Sequence, residues 1–229
     1  MKNLCQYFKQ LNHTWCYIWI FIFCGFLALD AFFPHFFGVT FLKILGIVLC
    51  PIYVAITYKE DRLLLLAFCF TLVADILLAF NNASLFGVFS FIMAQFTHFA
   101  RLRNLKKNQF IIISIIITIS FLLSVTLGFM ALFLLGTLYA FFLVSNLIYS
   151  YNWKKHAKGK EKRSACFAFY GFLLFALCDI CAASSFFCAI HAFPLLLKRL
   201  FDYLCWVFYY PSQIALSNST KKLPREKQL

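Results

Sequence analysis

Long apolar stretches broken by short polar segments set the pattern of this chain. A helix crosses the hydrocarbon core of a bilayer with roughly 20 residues. On that measure, apolar stretches predict spans at 15–33, 38–57, 63–81, 84–101, 109–127, 129–150, 164–187 and 200–217. The stretch from Gln109 to Tyr151 is uncharged and about twice one span, so it must turn back, plausibly near Gly128. The pattern predicts an all-α bundle of eight transmembrane spans, with residues 1–229 as a single transmembrane domain.

The positions of the basic residues support this count. Lys and Arg gather in cytoplasmic loops, so a correct set of spans should place them in alternate loops. They precede the first span, follow the second, fourth, sixth and eighth, and are missing from the loops around Pro34, Asn82 and Gly128. Lys198 and Arg199, before the last span, depart from the pattern. We therefore expect both termini, residues 1–14 and the basic tail 218–229, to be cytoplasmic.

Composition narrows the class of protein. Hydrophobic residues make up 63% of the 229, far more than a soluble globule of this size buries. The net charge of +13 comes from residues beside the spans, so no nucleic-acid partner is expected. Most of the ten cysteines lie in apolar stretches, where they behave as small hydrophobes. Cys178 and Cys181 have the spacing of a redox motif but lie in a predicted membrane helix, which favours packing. Short tails and bare loops suit a bacterial inner membrane.

Two aspartates lie deep in predicted spans. A charge at that depth costs about 2.5 to 3.5 kcal/mol, so it usually has a partner or a function. Asp75 and Asp179 lie about two-thirds along the third and seventh spans, without a basic residue nearby on their own helices, which favours function. Both begin an Asp-Ile-x-x-Ala sequence, which hints at a parallel duplication of four helices, although a chance match is as good an explanation.

Other polar residues lie in the same half of the predicted bundle. Asp30 and Asp202 are near span ends, where a structural role is favoured. Lys43 could reach the interface, pair with Asp75 or bind a phosphate. Polar and small residues also follow stripes at helical spacing. These stripes are Gly87, Phe91, Gln95 and His98 in the fourth span, Gly171, Phe175 and Asp179 in the seventh, and Asp202, Trp206, Tyr209 and Gln213 in the eighth. They predict a polar pocket.

Two carboxyls in one apolar pocket suit acid–base chemistry. One stays protonated and the other ionised, as in glycoside hydrolysis through an oxocarbenium-like state. A vinyl ether needs the same pair, with the proton delivered to carbon. The chain has no serine nucleophile elbow, HExxH motif, zinc spacing or phosphate loop, which removes the commoner hydrolase mechanisms.

These residues carry a family resemblance. The sequence resembles the YhhN/TMEM86 family of lysoplasmalogenases, also eight-span proteins, in segments spread over nearly the whole chain. The matching segments are Asp75-Ile-Leu-Leu, Phe86-Gly87, Phe91, His98, Gly171–Asp179 and Trp206–Gln213. The resemblance implies cleavage of the vinyl ether bond of lysoplasmalogen to a fatty aldehyde and glycerophosphoethanolamine or glycerophosphocholine, with Asp75 and Asp179 catalytic. Cys178 and Phe99 depart from the family pattern, which leaves substrate preference open.

The predicted site follows from this resemblance and the stripes. Besides the two aspartates, the expected substrate contacts are Lys43, Asn82, His98, Tyr209, Tyr210 and Gln213, with Lys43 at the headgroup. No metal or cofactor is expected, because acidic residues are few and scattered among helices. The expected partners are a lysophospholipid substrate and membrane lipids. A proton-coupled transporter, in which the aspartates relay protons, is the main rival, and a non-catalytic membrane scaffold is the second.

Overall fold

The described part of the chain folds into eight α-helices. The computed structural model describes residues 2–32, 37–80, 85–126, 129–191 and 193–221. The helices are α1 (Lys2–Phe32), α2 (Phe37–Thr57), α3 (Arg62–Phe80), α4 (Leu85–Arg103), α5 (Lys107–Thr126), α6 (Phe129–His156), α7 (Gly159–Ile190) and α8 (Leu195–Ser217). No strand occurs in these ranges. The predicted all-α bundle of eight helices is confirmed.

Six helices, α2 to α7, are long and apolar enough to cross a membrane by themselves. The apolar part of α1 is shorter, Tyr17–Asp30. Helix α8 is not among them; it carries Lys198, Arg199 and Asp202 in its first turns and several polar side chains further along. Such a helix depends on its neighbours to bury its polar groups. The chain is a multi-pass membrane protein.

Several helices continue beyond the predicted spans. Helix α6 ends at His156 and α7 begins at Gly159, so the basic segment between the sixth and seventh spans is mostly helical. Helix α1 begins at Lys2, within the segment expected to precede the first span. The run of apolar residues ends near the membrane surface, but the backbone hydrogen bonds of a helix can continue beyond it. The length of an apolar stretch therefore underestimates the length of the helix.

The helices pack around two apolar cores. One, mainly from α1, α2, α3, α7 and α8, contains Trp19, Tyr53, Phe68, Phe172 and Tyr210, all nearly inaccessible to solvent. The other joins α4, α5 and α6 through Ile92, Phe96, Phe121, Leu135 and Phe142. The most extensive helix pairs are α7 with α8 and α3 with α4. These are corresponding pairs if the chain is a four-helix duplication, which stays a prediction.

Two glycines let helices approach closely. A Cβ added at Gly46 would lie 1.2 Å from Tyr210 Oη, so α2 can meet α8 here only without a side chain. A Cβ at Gly171 would lie 2.8 Å from Leu216, at the contact of α7 with α8. Small residues at helix contacts are common in membranes, where packing drives association. Gly171 thus permits the close approach of α7 to α8.

The basic end of the bundle is held by a buried cluster, the Asp61 cluster, of Asp61, Arg101, Ser219, Thr220 and Lys221. Arg101 pairs with Asp61 at 3.5 Å and donates to both Ser219 oxygens at 2.9 Å. Asp61 also accepts from the Leu64 amide at the start of α3, as a helix-capping residue does. Burial, followed by the charge of Arg101, lowers the pKa of Lys221. The cluster fastens the segment after α8 to α3 and α4.

Eight of the ten cysteines lie where the structure describes side chains, and these eight are free thiols. They include Cys178 and Cys181, whose spacing resembles a redox motif. Cys178 instead lies 3.3 Å from Cys205 of α8, sulfur to sulfur. Both Cys178 and Cys181 are buried, and their role as packing groups stays a prediction.

Candidate active site

A cavity of about 460 Å³ opens among five helices, in the half of the bundle away from the basic loops. We call that end of the bundle the outer end. The walls come from α2 (Thr40, Lys43, Ile44, Ile47), α3 (Asp75, Leu78, Ala79), α4 (Phe91), α7 (Phe175, Cys178, Asp179, Ala182) and α8 (Cys205, Trp206, Tyr209). The predicted polar pocket therefore exists. Its walls are mostly apolar and contain three side chains that can carry a charge, two aspartates and one lysine.

The two aspartates, called the cavity carboxyls, share this space and have similar surroundings. Tyr209 donates its hydroxyl hydrogen to Asp75 Oδ2 at 2.5 Å, and Tyr139 donates to Asp179 Oδ2 at 2.7 Å. Both carboxyls are half-buried. Within the described ranges neither forms an ion pair with a basic side chain. Each carboxyl thus keeps acceptor capacity that faces the cavity.

An aromatic chain joins the two hydrogen-bonded pairs. The ring centroids of Tyr139 and Phe91 lie 6.3 Å apart, those of Phe91 and Phe175 6.2 Å, and those of Phe175 and Tyr209 5.5 Å. Such edge-to-face contacts restrict ring orientation. The tyrosine hydroxyls are therefore held by packing as well as by the carboxyls that they meet.

A second set of polar contacts lies behind Tyr139. The Gln95 side chain lies beside the Tyr139 hydroxyl. Asn146 of α6 donates to the side-chain and main-chain oxygens of Gln95, each at 2.9 Å. Gln95 and Asn146 are almost completely buried. This places Asp179 at the end of a polar chain through three helices, α7, α6 and α4.

Lys43 lies in the cavity wall that α2 contributes, and it pairs with Asp30 rather than Asp75. Its ammonium is 3.5 Å from Asp30 Oδ1. It also lies over two rings, 4.7 Å from the centroid of Trp206 and 5.0 Å from that of Phe26. Of the roles that the sequence left open for Lys43, pairing with Asp75 is not observed, and its place in the cavity wall is compatible with phosphate binding.

The structure brings only some of the predicted substrate contacts to the cavity. Asp75, Asp179, Lys43 and Tyr209 line it, whereas His98, Tyr210 and Gln213 do not. Asn82 lies outside the described residues.

Each of the three remaining side chains is buried in helix packing. His98 sits edge-on to Phe68 and Phe172. Tyr210 stacks on Phe23 and donates to the Leu42 carbonyl oxygen. Gln213 donates to Ser212 Oγ. The structure gives these three residues packing contacts and no direct access to the cavity.

Sequence reasoning missed Tyr139 and Asn146. Both lie in the long uncharged stretch where no charge drew attention. Their separation of seven residues, two helical turns, puts them on one face of α6, and Ser150 continues that face. A search for polar stripes in every span would have found them.

The arrangement can support proton transfer at two positions of one bound molecule. Two carboxyls in a low-dielectric space can act as donor and acceptor, and tyrosine hydroxyls stabilise whichever is ionised. Among the described residues, no group of three or more His, Cys, Asp and Glu side chains is arranged to hold a metal ion. The apolar walls provide room for a hydrocarbon chain.

Comparison with known proteins gives one match. A family profile, described as the YhhN family, matches residues 38–220, well over half of the chain. This range begins in α2 and includes the helices that line the cavity. No curated protein matches the chain. No solved structure matches it.

Proposed function

Because the chain belongs to the YhhN family, we propose that it is a membrane-embedded hydrolase acting on the vinyl ether bond of lysoplasmalogen. The products are a fatty aldehyde and glycerophosphoethanolamine or glycerophosphocholine. The observation that carries the proposal is the meeting of Asp75 and Asp179, from different helices, in one cavity without a basic partner among the described residues. The membrane is proposed to be a bacterial inner membrane.

Hydration of the vinyl ether needs two proton transfers. One carboxyl, in its protonated form, delivers a proton to the alkene carbon that does not carry oxygen, which leaves an oxocarbenium ion. The other, as carboxylate, stabilises that cation and takes a proton from water as the water oxygen bonds to the cationic carbon. The resulting hemiacetal then breaks its bond to the glycerol oxygen. In that second stage the carboxyl that gained a proton from water gives it to the glycerol oxygen, and the other carboxylate takes the proton of the hemiacetal hydroxyl, which leaves the alcohol, the aldehyde and both carboxyls in their starting forms.

The surroundings of the carboxyls suit these steps. Tyr139 and Tyr209 hold one oxygen of each carboxyl and leave the other to face substrate. Phe91 and Phe175 line the wall and offer apolar contact to an alkenyl chain. Lys43 provides a positive charge for a phosphate.

The first test follows hydrogen from solvent into the product. Purified protein incubated with lysoplasmalogen in D₂O should release an aldehyde with one deuterium on the carbon next to the carbonyl, seen by mass spectrometry after immediate reduction. The Asp75→Asn and Asp179→Asn variants should each lose about 10²- to 10⁴-fold in rate, the usual worth of a general acid or base. An ester-linked lysophospholipid should not be cleaved, because it has no alkene carbon to protonate.

Controls make this test decisive. Asp202→Asn removes an exposed carboxylate that is not in the cavity wall and should leave the rate unchanged. Full activity in both cavity variants would reject the mechanism, and intact folded protein that leaves the vinyl ether uncleaved would reject the function.

Transport would appear differently. Movement of lysophospholipid across proteoliposomes without aldehyde release would favour a transporter. Transporter sites are commonly built from broken helices. Helices α2 and α8 contain Pro51 and Pro211 but run without interruption through both. Neither of these two helices therefore offers an observation in favour of transport.

A further inference from the structure

The Asp30–Lys43 ion pair is not saturated. Its N–O distance of 3.5 Å exceeds the about 2.7 to 2.9 Å of a strong charge-assisted hydrogen bond. An ammonium has three donors and a carboxylate about four acceptor positions. Within the described part of the chain, the only hydrogen bond of either charged group is the one between them. Both side chains keep about a fifth of their surface exposed. The pair can therefore accept a ligand with two charges.

The two residues of the pair occupy different positions along their helices. Asp30 comes two residues before the end of α1 at Phe32, which is about 3 Å along the axis. Lys43 comes six residues after the start of α2 at Phe37, about 9 Å along that axis. Asp75 lies five residues before the end of α3 at Phe80, about 7.5 Å. By helix position Asp30 is thus the outer member of the pair, and the Lys43 side chain extends from about the level of Asp75 to an ammonium 3.5 Å from Asp30.

This order complements one class of headgroup. In a zwitterionic lysophospholipid the ammonium is the outermost group and the phosphate lies between it and the glycerol. With the vinyl ether at the cavity carboxyls, the phosphate would meet Lys43 and the ammonium would meet Asp30. A headgroup that ends in an uncharged or negative group would gain nothing from Asp30 or would be repelled by it.

The type of ammonium also matters. A primary ammonium can donate hydrogen bonds to the Asp30 carboxylate, whereas a quaternary ammonium cannot and is held best by aromatic faces. The nearby faces of Phe26 and Trp206 are already covered by the Lys43 ammonium. The site therefore suits ethanolamine better than choline.

We propose that Asp30 and Lys43 form a headgroup subsite that selects phosphoethanolamine over phosphocholine, and either over phosphoglycerol. The subsite rests on the proposed function for its substrate. Lys43 binds the phosphate that all three headgroups share. Asp30 determines specificity, because it contacts the group beyond the phosphate: the ammonium of ethanolamine or choline, or the hydroxyls of glycerol.

The test compares three lysoplasmalogens with one alkenyl chain and different headgroups. For the wild-type protein, kcat/KM should fall in the order phosphoethanolamine, phosphocholine, phosphoglycerol. Asp30→Asn should lower kcat/KM for the ethanolamine substrate about tenfold, the worth of a hydrogen bond between charged groups, and change the choline value less than about threefold. Lys43→Gln should lower all three. Asp202→Asn, which removes an exposed carboxylate paired with Lys198, should preserve the order.

Two results would overturn the subsite. If Asp30→Asn lowers all three values by the same factor, Asp30 only positions Lys43. If the wild-type protein cleaves phosphoglycerol as well as phosphoethanolamine substrate, no headgroup is selected.

Failure of the proposed function is separable from failure of the subsite. Saturated alkyl-ether lysolipids with the same headgroups cannot be cleaved, so calorimetric titration of the purified protein measures binding alone. A preference for ethanolamine that disappears in Asp30→Asn supports the subsite even if no vinyl ether is cleaved. Cleavage without any headgroup preference in binding or turnover rejects the subsite and leaves the hydrolase proposal standing.

Discussion

The Asp61 cluster and the cavity carboxyls show two ways to bury an aspartate in one bundle. Asp61 is 3% exposed and accepts from Thr220 Oγ1 at 3.0 Å and from the Lys221 amide at 3.2 Å, in addition to Arg101 and the Leu64 amide. Asp75 and Asp179 accept one tyrosine hydroxyl each and face open space. Burial alone therefore does not make a carboxyl available to a ligand, whereas unused acceptor capacity beside a cavity does.

The largest expected difference is in stability. Arg101→Met would leave Asp61 buried without its charged partner, which should cost about 3 to 5 kcal/mol in the free energy of unfolding. Thermal unfolding of the purified protein in detergent would measure this. Arg103→Met, which removes an exposed arginine of the same helix, is the matched control.

The double variant Asp61→Asn with Arg101→Met sharpens this result. It removes both charges and should recover part of the lost stability, because an unpaired buried charge costs more than an absent pair. Unchanged unfolding of Arg101→Met would mean that the cluster does not hold the basic end together.

A smaller effect is expected for the tyrosines of the cavity. Tyr139→Phe and Tyr209→Phe each remove a hydrogen bond to a carboxyl, worth about 1.5 to 3 kcal/mol when the carboxyl is ionised. We expect aldehyde release to fall about tenfold to a hundredfold in each, with little change in unfolding temperature. Tyr53→Phe is the control, since Tyr53 donates to Asn218 Oδ1 at 2.8 Å at the basic end. If Tyr53→Phe lowers the rate as much as Tyr139→Phe and Tyr209→Phe do, the two cavity tyrosines have no specific role in the reaction.

The smallest effect should come from Asp202, a third aspartate in the outer half. Its carboxylate is about half exposed, pairs with Lys198 one helical turn away at 2.7 Å, and accepts from Ser185 Oγ, a hydrogen bond that an Asn side chain can also accept. Exposed pairs of this kind contribute less than about 1 kcal/mol. Asp202→Asn should leave the unfolding temperature within measurement error at low and high salt. A large destabilisation would show that the exposure of an aspartate in this bundle does not predict how much it contributes to stability.

The sequence predicted correctly those features that a single physical effect controls. Apolar length defined eight helices, and the cost of deep charge singled out Asp75 and Asp179, which the structure brings to one cavity. It was less informative for His98, Tyr210 and Gln213. A helical stripe gives the side of a helix that faces inward, but not which neighbour covers it. Phe172 covers His98, and α2 meets Tyr210 at Gly46.

The pairing of Lys43 shows the same limit between helices. The sequence placed Asp30 and Asp75 in the same half as Lys43. Only the packing of α1 against α2 decides that Asp30 is the partner. Tyr139 was missed for a different reason. Placing a tyrosine in an apolar span has no large free-energy cost, so nothing in the sequence distinguished Tyr139 from an ordinary core residue.

The composition of α8 has a consequence for biosynthesis. This helix is synthesised after the other seven and supplies Trp206 and Tyr209 to the cavity, yet it is not apolar enough to qualify as a span by itself. We expect its entry into the bilayer to be helped by the surfaces of α7 and α2, which it contacts in the finished bundle. A nascent chain that lacks α8 already contains both aspartates but not the wall that Trp206 and Tyr209 supply. The cavity is therefore complete only when translation delivers α8, and we expect the proposed activity to begin at that point.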